Sequence, residues 1–142
     1  INMVSVNHEI TAQLARSAVR ASTNLPIRYI VLDTRSGRTG RYLAAFRSRK
    51  PVVAVCYSPN AQRILALSYG VVAILRTQQL DDRYHFLMDA LDYIGRYEEL
   101  GEGDLLAVVG GSFGPDGGAS YVEISNVGKL RRRNEEMIRR KC

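Results

Sequence analysis

Short apolar runs separated by stretches of helical periodicity recur along this chain, the rhythm of strands alternating with crossover helices. Ile10, Leu14, Ala18 and Val19 give a helix over 8–24 one apolar stripe, and Pro26 stops it. Arg28-Tyr29-Ile30-Val31-Leu32 predicts a buried strand, followed by the polar turn Asp33-Thr34-Arg35-Ser36-Gly37 and a helix over 38–46 that buries Leu43 and Phe46. A second strand spans 52–56. Pro59 suits the first turn of the next helix, which carries Ile64, Leu65 and Leu67 and ends at Gly70, ahead of a third strand over 71–75. Asp81 and Asp82 place negative charge at the start of a long helix reaching about residue 98, with Tyr84, Leu87, Met88, Leu91 and Ile94 on one face. Gly101 and Gly103 lead into a fourth strand over 104–109, and the glycine-rich loop 110–118 precedes a last strand over 120–124.

That last strand follows a loop with no helix in it, so it is expected to return antiparallel at a sheet edge. The others are apolar on both faces and need helices as cover. The expected fold is therefore α/β: a three-layer αβα arrangement around a five-stranded, mostly parallel sheet whose last strand is an antiparallel edge. In such sheets ligands bind beyond the carboxy ends of the strands. Two loops take that position, 33–39 after the first strand and 110–118 after the fourth.

Composition changes this picture little. The chain has 142 residues, 46% of them hydrophobic and 24% charged, which suits one domain with a continuous core. No apolar run approaches the roughly 18 residues that span a bilayer, and residues 1–5 lack the basic and apolar regions of a secretory signal, so a cytosolic protein is expected. The first residue is Ile1 rather than Met, which fits a domain cut from a longer polypeptide, as it would tag removal. The net charge of +6 belongs to the end of the chain. From Lys129 onward seven basic residues stand against two acidic ones, leaving 13 against 12 in the first 128. A nucleic-acid partner would rest on that tail alone and is not expected; a short solvated helix, with Glu135 and Glu136 paired to Arg139 and Arg140, accounts for it. Of two cysteines, Cys56 sits in an apolar run and reads as core, and Cys142 is terminal; no CxxC or Cys/His cluster offers a metal or redox site. His8, expected to open a helix, and His85, on a helix flank, lack the company of a catalytic or metal site.

The first loop has the chemistry of a phosphate cradle. Thr34, Ser36 and Thr39 supply hydroxyls at a helix amino terminus, beside backbone N–H groups and the positive end of the helix dipole. Gly37 allows close backbone approach, and Arg35 and Arg38 can add charge-assisted hydrogen bonds. The plainer alternative is that Thr34 or Ser36 only caps the helix. No GxxxxGK[ST] is present, so NTP hydrolysis is not supported. In the second loop Gly111, Ser112, Gly114, Gly117 and Gly118 are the candidate contacts; a plain turn recruits the same residue types.

Residues 9–124, and above all Ile30-Val31-Leu32-Asp33-Thr34-Arg35-Ser36-Gly37-Arg38-Thr39 followed by Phe46-Arg47-Ser48-Arg49-Lys50-Pro51-Val52-Val53-Ala54-Val55, resemble the carboxy-terminal domain of the pyruvate kinases. Tyr69-Gly70-Val71 with Ile74-Leu75, and Gly103-Asp104 before the fourth strand, resemble later motifs of that family. The resemblance implies a regulatory module that binds a phosphorylated effector (fructose 1,6-bisphosphate, another sugar phosphate or AMP) and helps form a homotetramer. Catalysis, with its Mg2+ and K+, would lie in a separate barrel domain, and the chain itself would hold no catalytic residue, cofactor or metal. Thr34, Arg35, Ser36, Gly37 and Thr39 match the effector phosphate loop, and Gly111 and Gly117 match glycines of the effector-facing loop. Residues 111–117 lack the Trp and Arg of bisphosphate-activated members and gain Asp116, and residues 77–83 form a shorter stretch with no Trp, so a monophosphate or nucleotide fits as well as a bisphosphate. Residues 1–128 would be the effector domain and 129–142 a basic tail, helical or mobile. The alternative is a free-standing ligand-binding or self-association module of the same fold.

Overall fold

In the computed structural model, which describes residues 3–76, 84–111 and 118–141, the elements alternate as the hydrophobic pattern predicts. They are α1 (Met3–Asn24), β1 (Ile27–Thr34), α2 (Arg38–Ala45), β2 (Val52–Cys56), α3 (Pro59–Ala66), β3 (Val71–Leu75), α4 (His85–Gly95), β4 (Leu105–Gly111), β5 (Ala119–Asn126) and α5 (Val127–Lys141). The sheet order is β3-β2-β1-β4-β5, parallel except for β5, which pairs antiparallel with β4 at the edge.

Two cores sandwich the sheet. On one face α1, α2 and α3 place Ala15, Ala18, Leu43, Ala61 and Leu65 against Ile30, Leu32, Ala54 and Cys56. On the other, α4 and α5 cover Val31, Val53, Val55, Leu106 and Val108 with Phe86, Leu87, Ile94 and Leu130. Period-2 alternation along β1 divides its residues between the two cores. β2, buried at every position, is the strand that needs cover on both faces.

Several elements differ from the pattern's prediction. α1 begins at Met3, so His8 lies within it rather than opening it, and its buried stripe is Thr11, Ala15, Ala18 and Ser22, with Ile10 turned out at 43% exposure. Small side chains let this helix lie close to the sheet, and Thr11 uses the proximity: its Oγ1 donates to the Asn7 carbonyl and accepts from the Ala119 N–H, both at 3.0 Å, pinning α1 to the start of β5. β1 continues through Asp33 and Thr34, which pair with Val55 and Cys56, so those two residues are strand rather than turn. Phe46 follows α2 and is half-buried, stacked on Tyr42. Leu67 lies past the end of α3, exposed, while Ser58 caps that helix by accepting the Ala61 N–H. α4 begins at His85 and adds Phe86 and Ala90 to its buried face; Asp81 and Asp82 lie outside the described residues.

The basic tail is a helix, but not a fully solvated one. Val127 and Leu130 are wholly buried and Asn134 nearly so, putting one face of α5 into the second core. Arg133 donates twice to Glu123 on β5, and Glu136 accepts from both Arg139 and Arg140 along the helix. Cys56 is fully buried, as its apolar neighbours predict, and burial pushes its thiol up to about 11. Among the described residues no helix is long and apolar enough to cross a membrane.

Candidate functional site

The strand order reverses at β1: the chain runs outward through β2 and β3, then returns to lay β4 on the other side of β1. Such a reversal leaves a crevice beyond the carboxy ends of the two central strands, where ligands of open α/β sheets bind. Leu32 pairs with Val109, so the loops that leave β1 and β4 emerge side by side. Both sequence-predicted loops therefore start at one place.

The β1 loop is folded tightly onto itself. Gly37 is the N-cap of α2 with φ +88°, a left-handed conformation that glycine adopts without strain. No side chain caps the helix there. Instead Thr34 Oγ1 accepts the Gly37 N–H at 2.9 Å and Ser36 Oγ accepts the Arg38 N–H at 3.2 Å. The hydroxyls thus shape the loop, and two backbone donors are already engaged by it. The first intrahelical bond runs from the Arg41 N–H to the Gly37 carbonyl at 3.0 Å, so the N–H groups of Thr39 and Gly40 precede it in the first turn, where helices leave donors without an intrahelical acceptor.

Burial sorts the candidates. Thr34, Gly37 and Thr39 are buried, Arg35 and Arg38 half-buried, and Ser36 exposed. Thr34 shares the face of β1 that Ile30 and Leu32 use, which turns it inward. α2 can approach α3 closely because residue 40 is glycine: a Cβ there would lie 2.7 Å from a terminal methyl of Leu65. Arg35 leans the other way, its guanidinium carbon 5.8 Å from the centroid of the Tyr57 ring.

Beneath Arg35, on the opposite face of β1 from Thr34, lies Asp33. Its carboxylate accepts from the Tyr57 hydroxyl at 3.4 Å. Desolvation raises its pKa from the ordinary 3.8 to about 6, despite the opposing pull of its own backbone hydrogen bond, Tyr57 and Arg35. Sequence reasoning placed Asp33 in a polar turn; strand alternation beyond Leu32 was the signal that it points into the α4 layer. A folded-state pKa above the unfolded one means the native state binds the extra proton, so stability is expected to fall as pH rises between about 4 and 6. Asp33→Asn, a neutral isostere, should then be more stable than the parent by roughly 2 kcal/mol at pH 8, with the difference vanishing below pH 4. Urea unfolding at those two values checks it; an equal difference at both would remove the titration from the account.

The glycine-rich loop is described only at its ends, with Ser112, Gly114 and Gly117 outside the described residues. Gly111 closes the β4–β5 ladder opposite Ala119, and the Thr11 hydroxyl lies 2.7 Å from where a Cβ of Gly118 would be. Gly110 sits under the Tyr121 ring. The structure thus brings Gly111 to the crevice beside Thr34 through the β1–β4 pairing, and anchors Gly118 against α1. Among the described residues no group of three or more His, Cys, Asp or Glu side chains could hold a metal ion.

Comparison with known proteins gives one family and several relatives. The family described as "Pyruvate kinase, alpha/beta domain" matches residues 12–125. The chain is similar to the pyruvate kinase of Sporosarcina psychrophila, at 26% identity over 129 residues that make up 89% of this chain and 22% of that protein. It is also similar to those of Bacillus licheniformis (28% over 125 residues; 88% and 21%) and Geobacillus stearothermophilus (27% over 122 residues; 85% and 21%). The chain spans about a fifth of the length of these relatives.

Proposed function

The chain belongs to the pyruvate kinase alpha/beta domain family, and from that premise we propose that it binds a phosphorylated effector in the crevice between the β1 and β4 loops and regulates a pyruvate kinase. The observation that supports this reading is the strand reversal at β1, which makes the loop leading into α2 and the loop leaving β4 at Gly111 start side by side. The first-turn N–H groups of Thr39 and Gly40 would donate to phosphate oxygens, aided by the helix dipole. The exposed Ser36 hydroxyl and the Arg38 guanidinium would complete the seat, while Thr34, Gly37 and the buried Thr39 hold its shape. Residues 110–118 would meet the far end of a sugar phosphate or AMP. In this reading the transfer of phosphate from phosphoenolpyruvate to ADP, with its Mg2+ and K+, takes place in a barrel domain, within a cytoplasmic homotetramer that this domain helps assemble.

The test is thermal unfolding of the 142-residue chain in phosphate-free buffer against fructose 1,6-bisphosphate, AMP, ribose 5-phosphate and glucose 6-phosphate. One of these, at a hundred times its dissociation constant, should add about 2.7 kcal/mol, a rise in Tm of roughly 8 °C for a domain of this size. Ser36→Ala with Arg38→Ala, both at positions outside the buried set, should abolish the rise, while loss of the exposed Ser36 bond to the Arg38 N–H lowers the ligand-free midpoint only slightly. If none of the four moves the midpoint, effector binding by this chain is overturned and self-association is left as its role.

A further inference from the structure

A cavity of about 630 Å³ lies on the far face of the sheet from α2, between β5, the start of α4 and α5. Phe86, Val108, Ile124 and Met137 give it apolar walls, and the Tyr84 and Tyr121 rings add to them. Gly110 makes this geometry possible, because a Cβ there would lie 2.2 Å from the Tyr121 hydroxyl. The volume falls within the range of roughly 300–1,000 Å³ typical of small-molecule pockets.

Two polar features decide what such a pocket would take. Asn134 lines it at only 2% exposure, and its Nδ2 has no hydrogen-bond partner among the described residues. Buried polar groups in native proteins are nearly always satisfied; this donor is sealed from solvent within the cavity wall, and a turn of the Asn134 side chain toward the cavity would give it the acceptor it lacks. Arg133 and Glu123 also line the cavity, but they neutralise each other through two hydrogen bonds, so the site presents no net charge to an anion. We infer that the α4–β5–α5 cavity is a second ligand site, separate from the β1–β4 crevice, for a small neutral molecule with an aromatic body and a carbonyl acceptor directed at Asn134 Nδ2.

Acetophenone is a suitable probe, since it has the ring and the acceptor and nothing else. In 1H–15N correlation spectra of the 142-residue chain, titration with acetophenone should give saturable shifts of the Asn134 side-chain amide and of the Phe86, Ile124 and Met137 backbone amides. Residues 34–39 should stay in place. Asn134→Leu, which keeps the volume and removes the donor, should weaken binding about 5-fold, the worth of one neutral hydrogen bond, while spectral dispersion is retained. The absence of saturable shifts in the parent chain, equal affinity in the variant, or shifts centred on residues 34–39 would each overturn the assignment.

Discussion

Phe86→Ala is expected to remove about 4 kcal/mol of unfolding free energy, the middle of the range for truncating a buried phenylalanine. The ring is 1% exposed and belongs to the core that α4 and α5 form against β1, β2 and β4. It also forms one wall of the α4–β5–α5 cavity, so its removal enlarges an existing void rather than leaving a small one that neighbours could close. Domains have only about 5–15 kcal/mol to lose, so the variant should unfold at a markedly lower urea midpoint with an unchanged slope. Phe86→Leu should lose less than half as much. A loss below 1 kcal/mol for the alanine variant would show that α4 is not packed on the sheet as described.

The second large effect is at Gly111. A Cβ there would lie 1.9 Å from the Gly118 carbonyl oxygen and 3.2 Å from the Ala119 Cα, all backbone atoms that cannot turn aside. Gly111→Ala should therefore lose about 3 kcal/mol and open the last rung of the β4–β5 ladder. Two neighbouring glycines calibrate the argument. At Gly110 the obstacle is the Tyr121 side chain, which can swing at a cost of about 1 kcal/mol, and at Gly103 nothing lies within 4 Å. Urea midpoints in the order Gly103→Ala, Gly110→Ala, Gly111→Ala, highest to lowest, are the expected result; a Gly111 variant as stable as the Gly103 one would refute the close approach.

Where these residues differ in legibility, the reason is physical. β2 and β4 announce themselves because a central parallel strand has to be apolar on both faces. The buried stripe of α1 is legible only in part: Ala18, with Leu14 and Val19 packed beside it, follows from the apolar periodicity, but close packing against the sheet also selects Thr11, Ala15 and Ser22, which resemble a surface. α5 is obscured in a similar way: a helix with one buried stripe needs only Val127, Leu130 and Asn134 inside, and the surrounding arginines dominate any average. At the candidate site, the glycine at 37 and the cluster of hydroxyls are readable as chemistry. Which hydroxyls face inward is a matter of strand register, and that follows only once β1 is known to continue to Thr34. The unsatisfied amide of Asn134 has no counterpart in the sequence, since it depends on what α5 packs against.

The reversal at β1 also bears on the order in which the molecule assembles. β1, α2, β2, α3 and β3 are joined by short connections, so residues 27–75 can condense from local contacts alone. The pairing of Ile30 with Ala107, and the Thr11 hydroxyl bond to Ala119, must instead close long loops of chain, which form slowly because their entropy is lost before the contacts repay it. The crevice lies on the seam between these early and late halves. A ligand seated there would contact both, and would hold together the last part of the structure to form.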